Sequence, residues 1–451
     1  MQASYQAITY GRHLHALATL GIPIIVGQLG SIIQGLADTV MVGRFSAHSL
    51  AAAGFVNNIM VLVLIFALGY SYAITPVIGP MHARGEFGNA GKALKAGLQV
   101  NGALGMALFL LMGTLYFFLG HMGQPEELLP EIRPYYAIVA LSIPVQSLFN
   151  AFKQFFDSIG NTRAPMWIMT CANLFNIAGN YLLIYGIGPF PRLGLLGAGI
   201  STTLSRILML AAIYGIFISD GKYKRYRSGF HAKGGTAGIR RLLHRLGRPL
   251  ALQMGMETAS FSLCAVMQGW MGAAPLAAHQ IMTAVGSTCF MVYYGIGAAV
   301  AIRASHFHGV NDIRNVRRSS LAGCLMILAT GLALAVTIST FIADICALFT
   351  DDTDIRRIAV SLTLPFVLYQ LGDGLQTNFA NSLRGIADVR PLMRYAFLCY
   401  IVVSLPLSYL LGFTFHGGPA GIWMAYPVAL TLAGALYCRR FLRKTRAAAA
   451  M

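Results

Sequence analysis

Apolar residues in this chain come in long blocks, and polar residues gather in short segments between them. Residues 45–81, 96–125, 166–191, 258–302, 319–343 and 395–438 contain no Asp, Glu, Lys or Arg. A helix needs about 20 apolar residues to cross the hydrocarbon of a bilayer. The runs 258–302 and 395–438 are too long for one crossing, so each is read as two helices and a turn. Ala273-Ala274-Pro275 breaks the first and His416-Gly417-Gly418-Pro419 breaks the second. A barrel would instead show alternating segments of about ten residues. The pattern predicts an all-α polytopic membrane protein with twelve transmembrane helices, over 14–42, 50–78, 93–120, 132–156, 165–188, 194–219, 242–270, 276–303, 317–347, 356–383, 391–413 and 419–439.

Composition agrees and charge adds orientation. Of 451 residues, 56% are hydrophobic and only 11% charged. Soluble domains carry about a quarter charged residues, so this chain cannot cover a water-facing surface. The net charge is +18, from 33 Lys or Arg against 15 Asp or Glu. A nucleic-acid partner is excluded, because the basic residues are separated by apolar stretches rather than gathered on one face. With both termini in the cytoplasm, cytoplasmic ends and loops hold 27 of the 33 basic residues, nine of them between Lys222 and Arg248. The opposite side holds the acidic groups Glu126, Glu127, Glu131 and Asp351, Asp352, Asp354. This bias predicts a multi-pass protein of the cell inner (plasma) membrane with cytoplasmic termini. The 220–248 run reads as a solvated linker touching lipid headgroups. No cleavable signal peptide is expected, since the first basic residue is Arg12 and the first helix keeps Asp38. The seven cysteines form no C-x-x-C pair, and His306 and His308 do not align on a helix, so neither a disulfide framework nor a metal centre is indicated.

The sequence repeats itself at an offset of 226 residues. Pro23 falls on Pro249, Met41 on Met267, Gly43 on Gly269, Leu50-Ala51-Ala52 on Leu276-Ala277-Ala278, and His82 on His308. Each repeat holds six helices, an even number, so both halves enter the membrane in the same direction. Two lobes related by a pseudo-two-fold axis along the membrane normal are expected, an arrangement typical of secondary transporters. The lobes are read as 1–219 (helices 1–6) and 242–451 (helices 7–12), joined by a basic cytoplasmic linker at 220–241.

Three acids lie well inside predicted helices: Asp38, Glu257 and Asp373. A carboxylate at the bilayer centre costs about 2.5–3.5 kcal/mol even on the lenient insertion scale. Such residues face a cavity and pair, protonate or bind a cation. At the repeat offset Asp38 meets Cys264 and Glu257 meets Ser31, so the acids are not part of the shared scaffold. Each has polar company one turn away: Gln34 before Asp38, Gln253 before Glu257, and Tyr369 and Gln376 around Asp373. Asn176 and Asn180 sit one turn apart. Oxygens of amides and hydroxyls beside a carboxylate make a hard-cation site, and a lone carboxylate in a polar pocket makes a protonation site. Spacing leaves both open. Arg206 is a fourth intramembrane charge, one turn after Thr202, with no partner assignable from sequence.

These residues resemble the multidrug and toxic compound extrusion (MATE) family, in particular its NorM-like branch. Asp38-Thr39-Val40-Met41-Val42-Gly43 is similar to that family's first-helix signature. Pro275-Leu276-Ala277-Ala278-His279-Gln280 resembles its eighth-helix entry, and Ser382-Leu383-Arg384-Gly385 with Asp388, Arg390 and Pro391 its loop after helix ten. The resemblance implies a non-enzymatic, monomeric antiporter that exports cationic amphipathic compounds by alternating access, driven by Na+ or H+, with no cofactor. It implies a C-lobe cation site at Glu257, Tyr369 and Asp373, and an N-lobe cation, proton or substrate site at Asp38, Asn176, Asn180, Ala198 and Thr202. Gln34 and Gln280 are expected in the substrate cavity, and Na+ is a candidate ligand of Glu257, Asp373 and Asp38. Some H+-coupled relatives have a second acid in the fifth helix; here Asn180 stands there, which leans toward Na+. Two other readings compete. A lipid-linked-precursor flippase of the same superfamily would prefer a cationic cavity. An intramembrane transferase would need clustered acids at the membrane face, whereas Asp351–Asp354 beside Arg356 and Arg357 reads as solvated surface.

Overall fold

The computed structural model describes residues 9–449, with side chains described to residue 446. All regular structure among the described residues is helical. The long helices are α1 Tyr10–Phe45, α2 Ala47–Ala83, α3 Phe87–Tyr116, α4 Glu126–Ser158, α5 Arg163–Tyr185, α6 Leu195–Ser219, α7 Ala237–Trp270, α8 Ala273–Gly309, α9 Ile313–Phe349, α10 Thr353–Gly385, α11 Arg390–Thr414 and α12 Gly418–Ala449. Among the described residues, eleven are single helices long and apolar enough to cross a membrane; α10 is a twelfth, bent by 46° at Leu362. The expected spans are all present; most extend past the expected bounds, but α3 and α5 stop at Tyr116 and Tyr185, short of the expected 120 and 188.

The local breaks differ in detail from the expected ones. The turn between α7 and α8 lies at Met271–Gly272, not at Pro275, which sits inside the first turn of α8. Proline is tolerated there because the first turn's N–H groups have no helical partner. Gly272 takes φ 122, a conformation that costs glycine little. Helix α2 tightens to a 3-10 turn over Tyr72–Ile74, ahead of Pro76. Helix α11 widens to π geometry over Phe397–Ser404 and Leu410–Thr414, which the apolar pattern does not signal.

The chain forms two compact units, Val26–Ala251 and a second built from the chain up to Ile25 plus Leu252 onward. Both boundaries fall inside helices, α1 and α7, two residues after Pro23 and Pro249. Ile25 and Ala251 are themselves 226 residues apart, the offset of the sequence repeat.

In the first unit α4 is the interior helix: 61% of its apolar window is buried, against 22–33% for the other spans of this unit. Its Ile132, Tyr136 and Ile143 pack with Val56 and Met60 of α2 and Ile184 of α5. Two corrections to the sequence reading arise here. Lys153, one of the basic residues counted at the cytoplasmic ends and loops, lies buried in α4, and its Nζ is 2.8 Å from Asp157 Oδ2, also buried. The basic segment after α6 is not simply solvated. It forms a linker helix, Lys224–Phe230, that packs on α3. Tyr223, Tyr226 and Gly229 face inward while Lys222, Lys224 and Arg225 face out. Gly91 and Gly229 allow the close approach, since a Cβ on either would run into the other element's backbone. The Tyr226 ring packs on Phe155 and Phe87, and its hydroxyl shares a 2.7 Å hydrogen bond with His82 Nδ1. Burial pushes that hydroxyl up to about 12, so it stays neutral.

In the second unit α8 and α12 are interior, each with 61% of its window buried. The core joins Met282 of α8, Ile342 of α9, Phe366 of α10 and Trp423 and Tyr426 of α12. The first half of α1 docks on α8 where Gly21 meets Gly295, an approach only small residues permit. It is pinned by His13, fully buried, whose Nε2 lies 3.2 Å from Asn315 Oδ1 and Nδ1 3.0 Å from Arg303 Nη2.

Candidate functional site

Each unit carries its own polar cluster. In the first, Asp38 projects from the second half of α1 toward α5. Asn180 Nδ2 donates to Asp38 Oδ1 at 2.5 Å, and Gln34 Nε2 donates to Oδ2 at 2.7 Å. Both oxygens are therefore held by amide donors. Asn176, fully inside the cluster, has two possible amide orientations. In one its oxygen accepts from Gln34 Nε2 at 2.9 Å and Asn180 Nδ2 at 3.3 Å. In the other its nitrogen faces Asp38 Oδ1 at 2.9 Å and its oxygen accepts from Thr202 N–H at 3.2 Å and Thr202 Oγ1 at 3.3 Å. The second orientation suits a charged Asp38 but sets the nitrogen 2.9 Å from Gln34 Nε2, another donor. The first sets the Asn176 oxygen beside Asp38 Oδ1, another acceptor, and leaves Asn180 Oδ1 without a partner among the described residues.

Arg206 finds its partner here: it donates to Ser142 Oγ of α4 at 2.5 Å. It makes no ion pair with Asp38, but its charge acts on both Asp38 and Tyr135. Asp38, Asn176, Asn180, Thr202 and Gln34 are therefore one cluster. Ala198 belongs to the apolar core one turn before Thr202 and offers no polar side-chain atom. Ser142, Ser201 and Tyr135 are additions that the sequence did not single out; Ser201 Oγ donates to the Asn176 carbonyl at 2.9 Å.

The second unit brings α7, α10 and α11 together around two acids. Glu257 Oε1 accepts from Gln376 Nε2 at 2.9 Å, and Oε2 lies 3.4 Å from Gln253 Nε2. Asp373 is 2% exposed, and the Tyr369 hydroxyl reaches Oδ2 at only 3.4 Å. The two carboxylates are near enough to repel one another. Among the described residues neither forms an ion pair. Gln253 Oε1 and the Tyr293 hydroxyl are buried without a hydrogen-bond partner among the described residues. Two like charges in such a pocket need a proton or a cation between them, and the spare oxygens suit a hard monovalent cation. Tyr400 completes the group by donating to Gln376 Oε1. It stands on the π-helical stretch of α11, and nothing in that charge-free run marks it. Gln280 is exposed in the first turns of α8 and joins neither cluster.

A repeated all-helical body with a buried carboxylate cluster in each unit defines a polytopic membrane transporter. The MatE family profile matches residues 23–182 and again 249–410, two stretches whose starts are separated by the repeat offset. The chain belongs to the MatE family. It is 30% identical over 428 residues to the probable multidrug resistance protein NorM of Bradyrhizobium diazoefficiens, spanning 94% of this chain and 91% of that one. It is 28% identical over 443 residues to the multidrug resistance protein NorM of Photobacterium profundum, spanning 96% and 95%. A solved outward-facing multidrug resistance MATE family transporter of the MOP superfamily shares the fold, with a TM-score of 0.88 at 17% identity over 97% of this chain and 96% of that one.

Proposed function

We propose that this protein is a secondary antiporter that exports cationic, amphipathic compounds in exchange for Na+ or H+. The observation that carries the proposal is the Glu257/Asp373 pair, a half-buried and a buried carboxylate in one cluster with no ion-paired cation among the described residues. In this reading a monovalent cation, Na+ by preference, neutralises the pair from outside the cell. Loss of that negative charge weakens the hold on a cationic drug and favours reorientation toward the cytoplasm. Drug arriving from the cytoplasmic side then displaces the cation. One charge moving inward through the membrane potential supplies about 2.3 kcal/mol per 100 mV. Asp38 acts in parallel in the first unit, where N–H donors on both carboxylate oxygens support the anion until a cation or proton arrives. The proposed protein is a monomer in the inner membrane with both termini in the cytoplasm, as the basic bias of its loops suggests. The acids disfavour a flippase for phosphate-bearing precursors.

Reconstituted transport with Na+ and pH gradients imposed separately tests the reading. Asp373→Asn abolishes ion-driven efflux in proteoliposomes while leaving the protein folded; wild-type efflux by that variant would remove the second unit from the coupling step.

A further inference from the structure

The first unit carries two surface features that no transport step uses. One is an apolar groove of ≈ 370 Å³ between α3, α4 and α6, lined by Leu98, Leu148, Phe152, Ile207, Ala211 and Tyr214. Ile207, Ala211 and Tyr214 are exposed. The other is a pocket at the end of the same helices, where Lys222, Lys224 and Arg225 surround Phe87 and Ser228. All three basic side chains are exposed, and among the described residues none forms an ion pair. The nearby Asp220 spends Oδ1 on the Lys222 backbone N–H at 2.9 Å. The Arg225 guanidinium lies 5.5 Å from the Phe87 ring centroid, which holds its charge at the pocket.

The two features are in register. Phe87 and Leu98 are eleven residues apart on α3, three turns, and so share a face. That separation is about 16 Å along the axis, close to the half-thickness of the hydrocarbon core, about 15 Å. On α6, Ile207 and Tyr214 are two turns apart on one stripe. Beneath the surface between them, buried rings tie the groove wall to the linker: Phe152 lies 6.0 Å from Tyr214 and 5.9 Å from Phe217, and Phe217 lies 6.2 Å from Tyr223. An apolar cleft that ends in three exposed cations against the one carboxylate of Asp220 suits a molecule with an apolar chain and an anionic head.

We propose that this face binds an anionic glycerophospholipid, its acyl chain along the α3–α4–α6 groove and its phosphate on Lys222, Lys224 and Arg225. The charges answer the phosphate, and the groove discriminates a lipid from a free anion. The linker helix between the two repeats is then held to the first unit from outside by lipid as well as from inside by Tyr223 and Tyr226.

Native mass spectrometry of the full chain in detergent, titrated with phosphatidylglycerol, phosphatidylcholine of the same chains, and glycerol 3-phosphate, tests this. Phosphatidylglycerol is expected to bind at least about tenfold more tightly than phosphatidylcholine. The triple variant Lys222→Gln, Lys224→Gln, Arg225→Gln weakens it roughly a hundredfold, at about 1 kcal/mol per basic side chain. Ala211→Trp fills the groove and weakens the lipid with every charge intact. A control triple, Arg439→Gln, Arg443→Gln, Lys444→Gln, removes equal exposed charge and leaves binding unchanged. Equal affinity for the two lipids, or equal loss in the control triple, overturns the proposal. Glycerol 3-phosphate binding as tight as the lipid and indifferent to Ala211→Trp overturns it in favour of a free-phosphate site. Should the basic triple fail to fold, the wild-type lipid preference and Ala211→Trp decide the matter.

Discussion

Replacing Lys153 with Met strands the side chain of Asp157. That carboxylate is 5% exposed, its Oδ2 loses the ammonium at 2.8 Å, and its Oδ1 already lacks a hydrogen-bond partner among the described residues. Removing one member of a buried ion pair costs about 3–5 kcal/mol, because the remaining charge is desolvated with nothing to answer it. At 1.4 kcal/mol per factor of ten, the folding equilibrium falls by roughly two to three and a half orders of magnitude. Asp157→Leu alone removes the carboxylate that answers the Lys153 ammonium and is also destabilising. The double variant Lys153→Met, Asp157→Leu removes both charges and fills the same volume with apolar groups. Such replacements are neutral or stabilising by about 1–4 kcal/mol, so the double variant matches or exceeds wild type. Unfolding of the full chain in mixed micelles, followed by circular dichroism against increasing dodecyl sulfate, gives all four corners of the cycle. Single-variant losses below about 0.5 kcal/mol would mean the pair is solvated, as for exposed ion pairs. A double-variant loss equal to the sum of the singles would mean the two residues act separately. Either result refutes the reasoning.

Asn180→Ala removes the 2.5 Å donor from Asp38; a hydrogen bond to a charged group contributes about 1.5–3 kcal/mol, so drug KM in reconstituted efflux rises at least about tenfold with protein yield unchanged, and an unaltered KM would take Asp38 out of the transport cycle. Gly295→Val forces apart α1 and α8, where a Cβ alone would stand 3.0 Å from the Gly21 carbonyl. Overpacking of this kind costs about 1–3 kcal/mol, visible as a lower midpoint in thermal unfolding, whereas Gly113→Val, with open space around it, leaves the midpoint in place. Tyr226→Phe keeps the ring packing but loses the bond to His82, about 1 kcal/mol, and amide exchange over the linker helix accelerates; unchanged protection would mean the rings alone hold the helix down.

The number of helices was legible because hydrocarbon thickness sets a length that charge-free runs must meet. The repeat was legible because packing positions such as Pro23/Pro249 and Gly43/Gly269 recur without a gap. Asp38, Glu257 and Asp373 stood out because an acid is rare at such depth, and their partners at i−4, Gln34 and Gln253, followed from helical spacing. The remainder depended on contacts between helices. Tyr400 enters the Glu257 cluster by a π-helical register that leaves no trace in an apolar run. Lys153 counted as a cytoplasmic-end charge because it falls in the last turn of the expected 132–156 helix; only the packing of α4 shows it buried against Asp157. The packing of the linker was not legible because its basic residues outweigh Tyr223, Tyr226 and Gly229 in composition, although these three are its buried positions.

The unit boundaries inside α1 and α7 bear on how such a chain can have arisen. The stretch that was duplicated and the stretch that packs as one body are out of phase: each unit takes its opening half-helix, up to Ile25 or up to Ala251, from the other copy. A lone ancestral copy with this packing would lack the half-helix that completes it. Two copies exchanging half-helices would each be whole, as in a swapped dimer. Fusion of the two genes then fixes the exchange within one chain. Neither half expressed alone recovers a complete unit, and co-expressed halves cut within the 231–236 loop regain both.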